Sequence, residues 1–319
     1  MKFIIKKTTE LSNIEKKELL DLFNYVFNQE RTMSEFEHQY CQNPLGYSIH
    51  SIAIDEGKMV ATVTRMPAYY IVENKKVLGL CAVDVAVLKK YRDFFTFYDT
   101  TIAVTDYSRR NGYAFVFGFP NDQAYAVNKK AKMGKDIGEL DTYFMPYRIG
   151  GVKRSLKVFN IFSQVFSAIY INIFARGGDN ALLEYKIRKE DKSYNETRYL
   201  RLDANYNEVN YDGAHFYYKV KNHEGVRTAF LIDVVGKSES NFRKAVRYIY
   251  KKEKQNVDLL LYVGSLPKDF SIGLFKIPRK YEPKHFHFTG LVLDKKQVSP
   301  EIFYDIKNWD VNLSNYDII

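Results

Sequence analysis

The stretch Tyr113-Ala-Phe-Val-Phe-Gly-Phe-Pro-Asn-Asp-Gln-Ala-Tyr125 decides how this chain is read. From Tyr113 to Phe119 it is an almost unbroken apolar run, the composition of a strand covered on both faces. The run ends in Gly118-Phe119-Pro120-Asn121 and passes directly into a helical pattern that closes at Met133-Gly134. Upstream, Leu80-Cys-Ala-Val-Asp-Val-Ala-Val-Leu-Lys-Lys-Tyr-Arg92 is a second apolar run, interrupted by Asp84. Helical spacing from Phe94 to Arg110 lies between the two runs, and Asn111-Gly112 ends it.

Working outward, Lys2 to Thr9 reads as a strand. Ser12-Asn-Ile-Glu15 has capping-box spacing ahead of Leu19, Leu20, Leu22, Phe23, Val26 and Phe27, which predicts an amphipathic helix. A second box, Thr32-Met-Ser-Glu35, opens a shorter helix that stops before Asn43-Pro44-Leu45-Gly46. Tyr47 to Asp55, Met59 to Val72 and Val77 to Val87 alternate around turns at Glu56-Gly57 and Asn74-Lys75, giving consecutive antiparallel strands.

This order of strand, two helices, three strands, helix, strand and helix resembles the Gcn5-related N-acetyltransferase superfamily. The two apolar runs match that family's fourth and fifth strands, and Asn121 opens its fourth helix. The resemblance implies a mixed α/β acyltransferase fold, with acetyl-CoA or another acyl-CoA as co-substrate. It covers residues 1–150 well. A connecting helix at 151–180 and a reduced second copy of the fold at 181–319 are expected to follow. In that second copy His215 to Lys221 and Val226 to Val235 read as strands, Ser238 caps a helix through Lys254, and Val257 to Val263 is a buried strand. Ser299-Pro300-Glu301 starts a last helix. The ending, Trp309 to Ile319, resembles the Trp-to-Asp tail of bacterial acetyltransferases encoded with surface-polysaccharide genes.

The resemblance also implies site residues. The pantetheine arm would pair with backbone atoms of Val85 and Val87 as another strand would. The diphosphate would sit where a glycine-rich turn meets a helix start, because only residues without side chains let the backbone approach an anion closely. Here the family's arginine is present as Arg92, but its two glycines are replaced by Asp93 and Phe95, one adding negative charge and the other bulk. The amides of Phe94, Phe95 and Thr96 remain at the helix start. Asp84 is the candidate base for the ammonium proton of an amine acceptor, or a strand-end carboxylate bonded to a neighbouring backbone amide. Asn121 would bond the cofactor or cap the following helix. The family's thiolate-protonating tyrosine is replaced by Asn128, which leaves Tyr125, nearly one turn earlier, as substitute acid or as an aromatic packing residue.

Composition sets outer limits. A chain of 319 residues suits two domains, and 46% hydrophobic with 27% charged residues indicates a globular protein. Met1-Lys-Phe-Ile-Ile-Lys-Lys7 has neither a secretory core nor a small-residue cleavage site, so a cytoplasmic protein is expected. Cys41 and Cys81 lack metal-site spacing and should be reduced. His285 and His287 flank Phe286 on one strand face, with no further metal ligand legible nearby. The net charge of +10 suits an anionic partner. The cations are spread along the chain and no nucleic-acid recognition module is legible. The eighteen residues Val158 to Ala175 carry no charge and are flanked by Lys153, Arg154, Lys157 and Arg176. They read as a buried connecting helix or as a helix making peripheral contact with a membrane.

The functional expectation is acyl transfer from acyl-CoA to an amine, with an amino sugar of surface-polysaccharide synthesis as acceptor. The alternatives are a non-catalytic scaffold that kept the fold and lost the chemistry, or an aminoacyl-tRNA-dependent transferase of the peptidoglycan-bridge type.

Overall fold

The structure is a computed structural model that describes every residue except 200–204, 283 and 317–319, and every side chain among them except 191–193 and 196. In chain order the elements are β1 (Lys2–Lys7), α1 (Asn13–Phe27), α2 (Met33–Cys41), β2 (Ile49–Asp55), β3 (Lys58–Val72), β4 (Lys75–Val87), α3 (Phe94–Arg110), β5 (Phe115–Gly118), α4 (Asp122–Ala131) and β6 (Lys135–Pro146). They continue as α5 (Ile149–Val152), α6 (Asn160–Ile173), β7 (Ile187–Lys189), α7 (Asp191–Tyr199), β8 (Asn207–Tyr211), β9 (Ala214–His223) and β10 (Val226–Val235). The last are α8 (Glu239–Glu253), β11 (Leu259–Gly264), β12 (Phe275–Lys276), β13 (Phe286–Val292) and α9 (Pro300–Phe303). Of the tail from Trp309 to Ile319, residues 317–319 lie outside the described part.

The chain forms two compact units that are not contiguous in sequence. The first holds 1–139, 186–204 and 286–310, and the second holds 140–185, 205–285 and 311–319. The sequence reading divided the chain at 150 and 180 instead. Strand pairing explains the difference: β7 adds to Tyr70–Val72 of β3, and β13 pairs antiparallel with β5, so both segments belong to the first unit.

In the first unit the strand order is β1-β2-β3-β4-β5-β13, antiparallel except for the parallel pair β4–β5. The capping boxes at Ser12/Glu15 and Thr32/Glu35 are both formed. Helices α1 and α2 bury Leu19, Leu20, Phe23, Phe36 and Tyr40 with Ile52, Met59 and Ala86. Val104 of α3 packs instead with Ile49, Val63, Leu80 and Val116. Ile49 and Ile52 are an odd number of residues apart on β2, so the two helix layers take opposite sheet faces. Strand β5 is buried along its whole length, as its unbroken apolar composition requires.

The second unit has the order β6-β11-β10-β9-β8, with β10 and β11 parallel. Its core gathers Met145, Phe216, Leu231, Phe242, Val246, Ile249, Leu260 and Tyr262. The connection β9–β10–α8–β11 repeats that of β3–β4–α3–β5: an antiparallel pair, a helix, then a strand parallel to the second. The apolar run that the sequence left open between burial and a membrane contact is α6, and most of its apolar side chains are exposed.

Candidate active site

Parallel pairing between β4 and β5 runs from Gly79–Phe115 to Ala82–Gly118 and stops there, while β4 continues to Val87. Gly118 occupies the last pair, and a Cβ at that position would make a tight approach, 3.2 Å from both the Cβ and the carbonyl oxygen of Ala82. Past this point β4 is bulged. Val83 pairs with Thr64 and Val85 with Val63, so Asp84 is the extra residue, with a left-handed φ of 41°. Among the described strands, the β5 side of Val83–Val87 has no pairing partner. Val85 is exposed on that stretch and Ala86 is buried against α1 and α2.

The Asp84 side chain is held from α2 and from the segment before it. Its Oδ2 accepts hydrogen bonds from the Tyr40 hydroxyl, from Gln39 Nε2 at 2.8 Å and from Arg31 Nη1 at 3.4 Å, and Oδ1 accepts from Arg31 Nη2 at 3.3 Å. Sequence reasoning missed Arg31, Gln39 and Tyr40. Gln39 and Tyr40 sit on the buried face of α2 with Phe36, and nothing local marks that face as reaching a strand 44 residues away.

The turn after β4 is organised by its own side chains. Arg92 Nε donates to the Val87 carbonyl at 3.1 Å. Asp93 is the N-cap of α3, accepting from the Thr96 amide at 2.7 Å and from the Thr96 hydroxyl at 3.0 Å. The Thr96 amide first, and other nearby amides less, hold this carboxyl below the usual aspartate range. An internal carboxylate therefore occupies the helix start that the sequence reading assigned to a diphosphate. Phe95 is 72% exposed, and Phe94 is 39% exposed and stacks on Tyr98. Neither ring is buried in the gap beside β4.

Beyond β5, Asn121 caps α4 by accepting from the Ala124 amide at 2.9 Å. Tyr125, one turn into the helix, lies flat on His287, with ring centroids 3.9 Å apart and planes 5° from parallel. The Tyr125 hydroxyl accepts from Lys129 Nζ at 3.3 Å, which leaves its own proton available to donate. His287 Nε2 lies 2.9 Å from Asp122 Oδ1 and Nδ1 lies 3.2 Å from Glu139 Oε1, so the ring donates to both carboxylates only when it carries both protons. The pairing of Thr289 with Gly118 delivers His287 to α4. Such a contact between residues 162 positions apart leaves no mark in local sequence. Asn128 is half-buried on the same helix. Among the described residues, no group of three or more His, Cys, Asp and Glu side chains could hold a metal ion.

Asp84 and Tyr125 thus both lie past the last β4–β5 pair, at the carboxyl ends of adjacent parallel strands, a usual position for ligand sites in α/β sheets. No protein-family model matches the sequence, and no curated protein matches it. Solved structures do. A conserved protein of unknown function from Enterococcus faecalis V583, described as a probable N-acyltransferase, superposes with TM-score 0.59 at 13% identity, over 93% of this chain and 74% of its own. A GCN5-related N-acetyltransferase from Anabaena variabilis ATCC 29413 gives TM-score 0.59 at 11% identity, over 91% and 73%. Eis1 from Mycobacterium abscessus gives 0.54 at 11%, over 92% and 74%. The bulged fourth strand, the parallel pair and these superpositions together show that the chain has the fold of the Gcn5-related N-acetyltransferases.

Proposed function

We propose that the chain is an acyl-CoA-dependent N-acyltransferase whose reacting centre lies at the carboxyl ends of β4 and β5. The observation that carries this reading is the Asp84 bulge, beyond which Val83–Val87 has an edge not taken by β5. An extended chain bearing amides would pair with that edge as a strand does. The residues fit such a ligand in part. Val85 and Val87 would hold the arm, and Lys89, Lys90 and Arg92 bring positive charge to the turn, while Asp93 opposes a diphosphate at the helix start. Bound acyl-CoA would supply a thioester-activated acyl group. Asp84 would take the proton lost by the attacking amine as the C–N bond forms, and Tyr125 would give a proton to the sulfur as the C–S bond breaks. An amino sugar carried on an anionic nucleotide or lipid suits the basic chain as acceptor.

Calorimetry with acetyl-CoA and with longer acyl homologues, followed by thiol release in the presence of amino sugars, tests the proposal. Saturable heat and acceptor-dependent thiol support it. No heat with any donor removes it. One observation favours the scaffold reading: Asp93 already satisfies the Thr96 amide and Arg92 already binds the Val87 carbonyl, so the turn is complete without a ligand. Absence of donor binding would leave that reading standing.

A further inference from the structure

We propose that α6 is a membrane-docking helix that lies in the plane of an anionic lipid surface. Ile161, Phe162, Val165, Phe166, Ile169 and Ile173 recur at helical spacing and share one face. Ile161 is 72% and Phe162 is 71% exposed. A continuous exposed stripe of large apolar side chains on a folded chain marks an interaction surface. The opposite face fixes the helix: Ser167 and Ile171 are buried, Ile171 and Ala175 join the core of the second unit, and Tyr170 packs on Phe275 with ring centroids 4.5 Å apart.

The helix does not span. By length and composition alone the apolar run Arg154–Ile173 is long and apolar enough to cross a membrane. Its regular part, however, is 14 residues, about 21 Å at the rise of an α-helix, against roughly 30 Å of hydrocarbon. Its inner face is also committed to the protein core. A helix held along one side and apolar along the other lies on a surface.

Charge selects the occupant. Between Asp141 and Asp179 every charged residue is a cation: Arg148, Lys153, Arg154, Lys157 and Arg176. Arg148 is paired with Asp258, whereas Lys153, Arg154 and Lys157 are exposed before the helix and Arg176 is exposed after it. Cations at both ends of an apolar stripe match anionic headgroups around an acyl-chain boundary. A second copy of the chain is a poor match. Two-fold pairing would set the Lys153–Lys157 end of one helix against Arg176 of the other, like charge on like charge.

The proposal is independent of acyl transfer, so its test uses the full chain with neither donor nor acceptor. Co-sedimentation with phosphatidylglycerol vesicles is expected at low salt, weakening as salt rises, with little binding to phosphatidylcholine vesicles. Ile161→Ser with Phe162→Ser should reduce binding by at least about tenfold while leaving the thermal midpoint unchanged, because both rows of atoms are already in solvent. Lys153→Glu with Arg154→Glu and Lys157→Glu should abolish the preference for phosphatidylglycerol. Failure of the wild-type chain to sediment, or undiminished binding by both variants, overturns the proposal. So does a dimer in light scattering that the Ile161→Ser, Phe162→Ser pair dissolves.

Discussion

Asp84 holds a left-handed φ of 41°, a conformation that costs a residue with a Cβ about 1–2 kcal/mol. The cost is borne because Arg31, Gln39 and Tyr40 converge on its carboxylate, tying the bulge in β4 to α2 and to the segment before it. Two substitutions separate strain from anchorage. Asp84→Ala keeps the strain, loses the hydrogen bonds and leaves a half-buried guanidinium without its carboxylate, a loss of about 2–3 kcal/mol. Asp84→Gly loses the same partners but accepts the backbone angle, so it should be the more stable of the pair by about 1 kcal/mol. Urea unfolding of both variants decides the matter. Equal stabilities would mean that the bulge flattens once its side chain is gone, and that the anchor, not the backbone, makes the bulge.

The turn between β4 and α3 shows what sequence can and cannot say about an element. The added charge of Asp93 and bulk of Phe95 at the start of α3 were legible, but the sequence reading did not foresee that the Asp93 carboxylate caps the helix on the Thr96 amide. The bounds of α3, both capping boxes and buried β5 were likewise legible, because periodicity and caps are local signals, whereas α7 and the bounds of α6 were not. Illegible were Arg31 against Asp84 and His287 against Tyr125, because both depend on which strands pair and in what register. The helix start gives a direct measurement of the proposed donor site. Asp93→Asn keeps an N-cap side chain of nearly equal quality and removes one negative charge from the turn. Repulsion of about 1 kcal/mol between charges a few ångströms apart near solvent is then lifted, so acetyl-CoA should bind ~fivefold more tightly by calorimetry. Unchanged affinity would place the diphosphate away from this helix.

At the scale of the whole molecule, sequence order and spatial order diverge most. The first unit is completed by residues 186–204, which follow 140–185 of the second unit, and by 286–310, which the chain reaches only after most of the second unit has been made. The contribution of 286–310 is concentrated around Trp309, whose ring lies 5.0–5.5 Å from those of Phe115, Phe117, Phe288 and Phe303 and whose Nε1 donates to the Phe303 carbonyl at 2.8 Å. Phe115 and Phe117 are the inner residues of β5, and without β13 that strand would lose its antiparallel partner along its entire length. A fragment ending at residue 150 therefore keeps every element of the apparent acetyltransferase pattern and still lacks one wall of its core. Removing Trp309, Phe288 and Phe303 together takes away several contributions each worth about 3–5 kcal/mol when a large buried aromatic is cut to alanine, against a total stability of about 5–15 kcal/mol for a domain. The expected outcome is that fragment 1–150 shows no cooperative urea transition and binds a hydrophobic dye, whereas the full chain with Trp309→Ala still unfolds cooperatively with its midpoint lowered. A cooperative transition in the fragment, with native-like near-ultraviolet circular dichroism, would show instead that β5 is stable without β13.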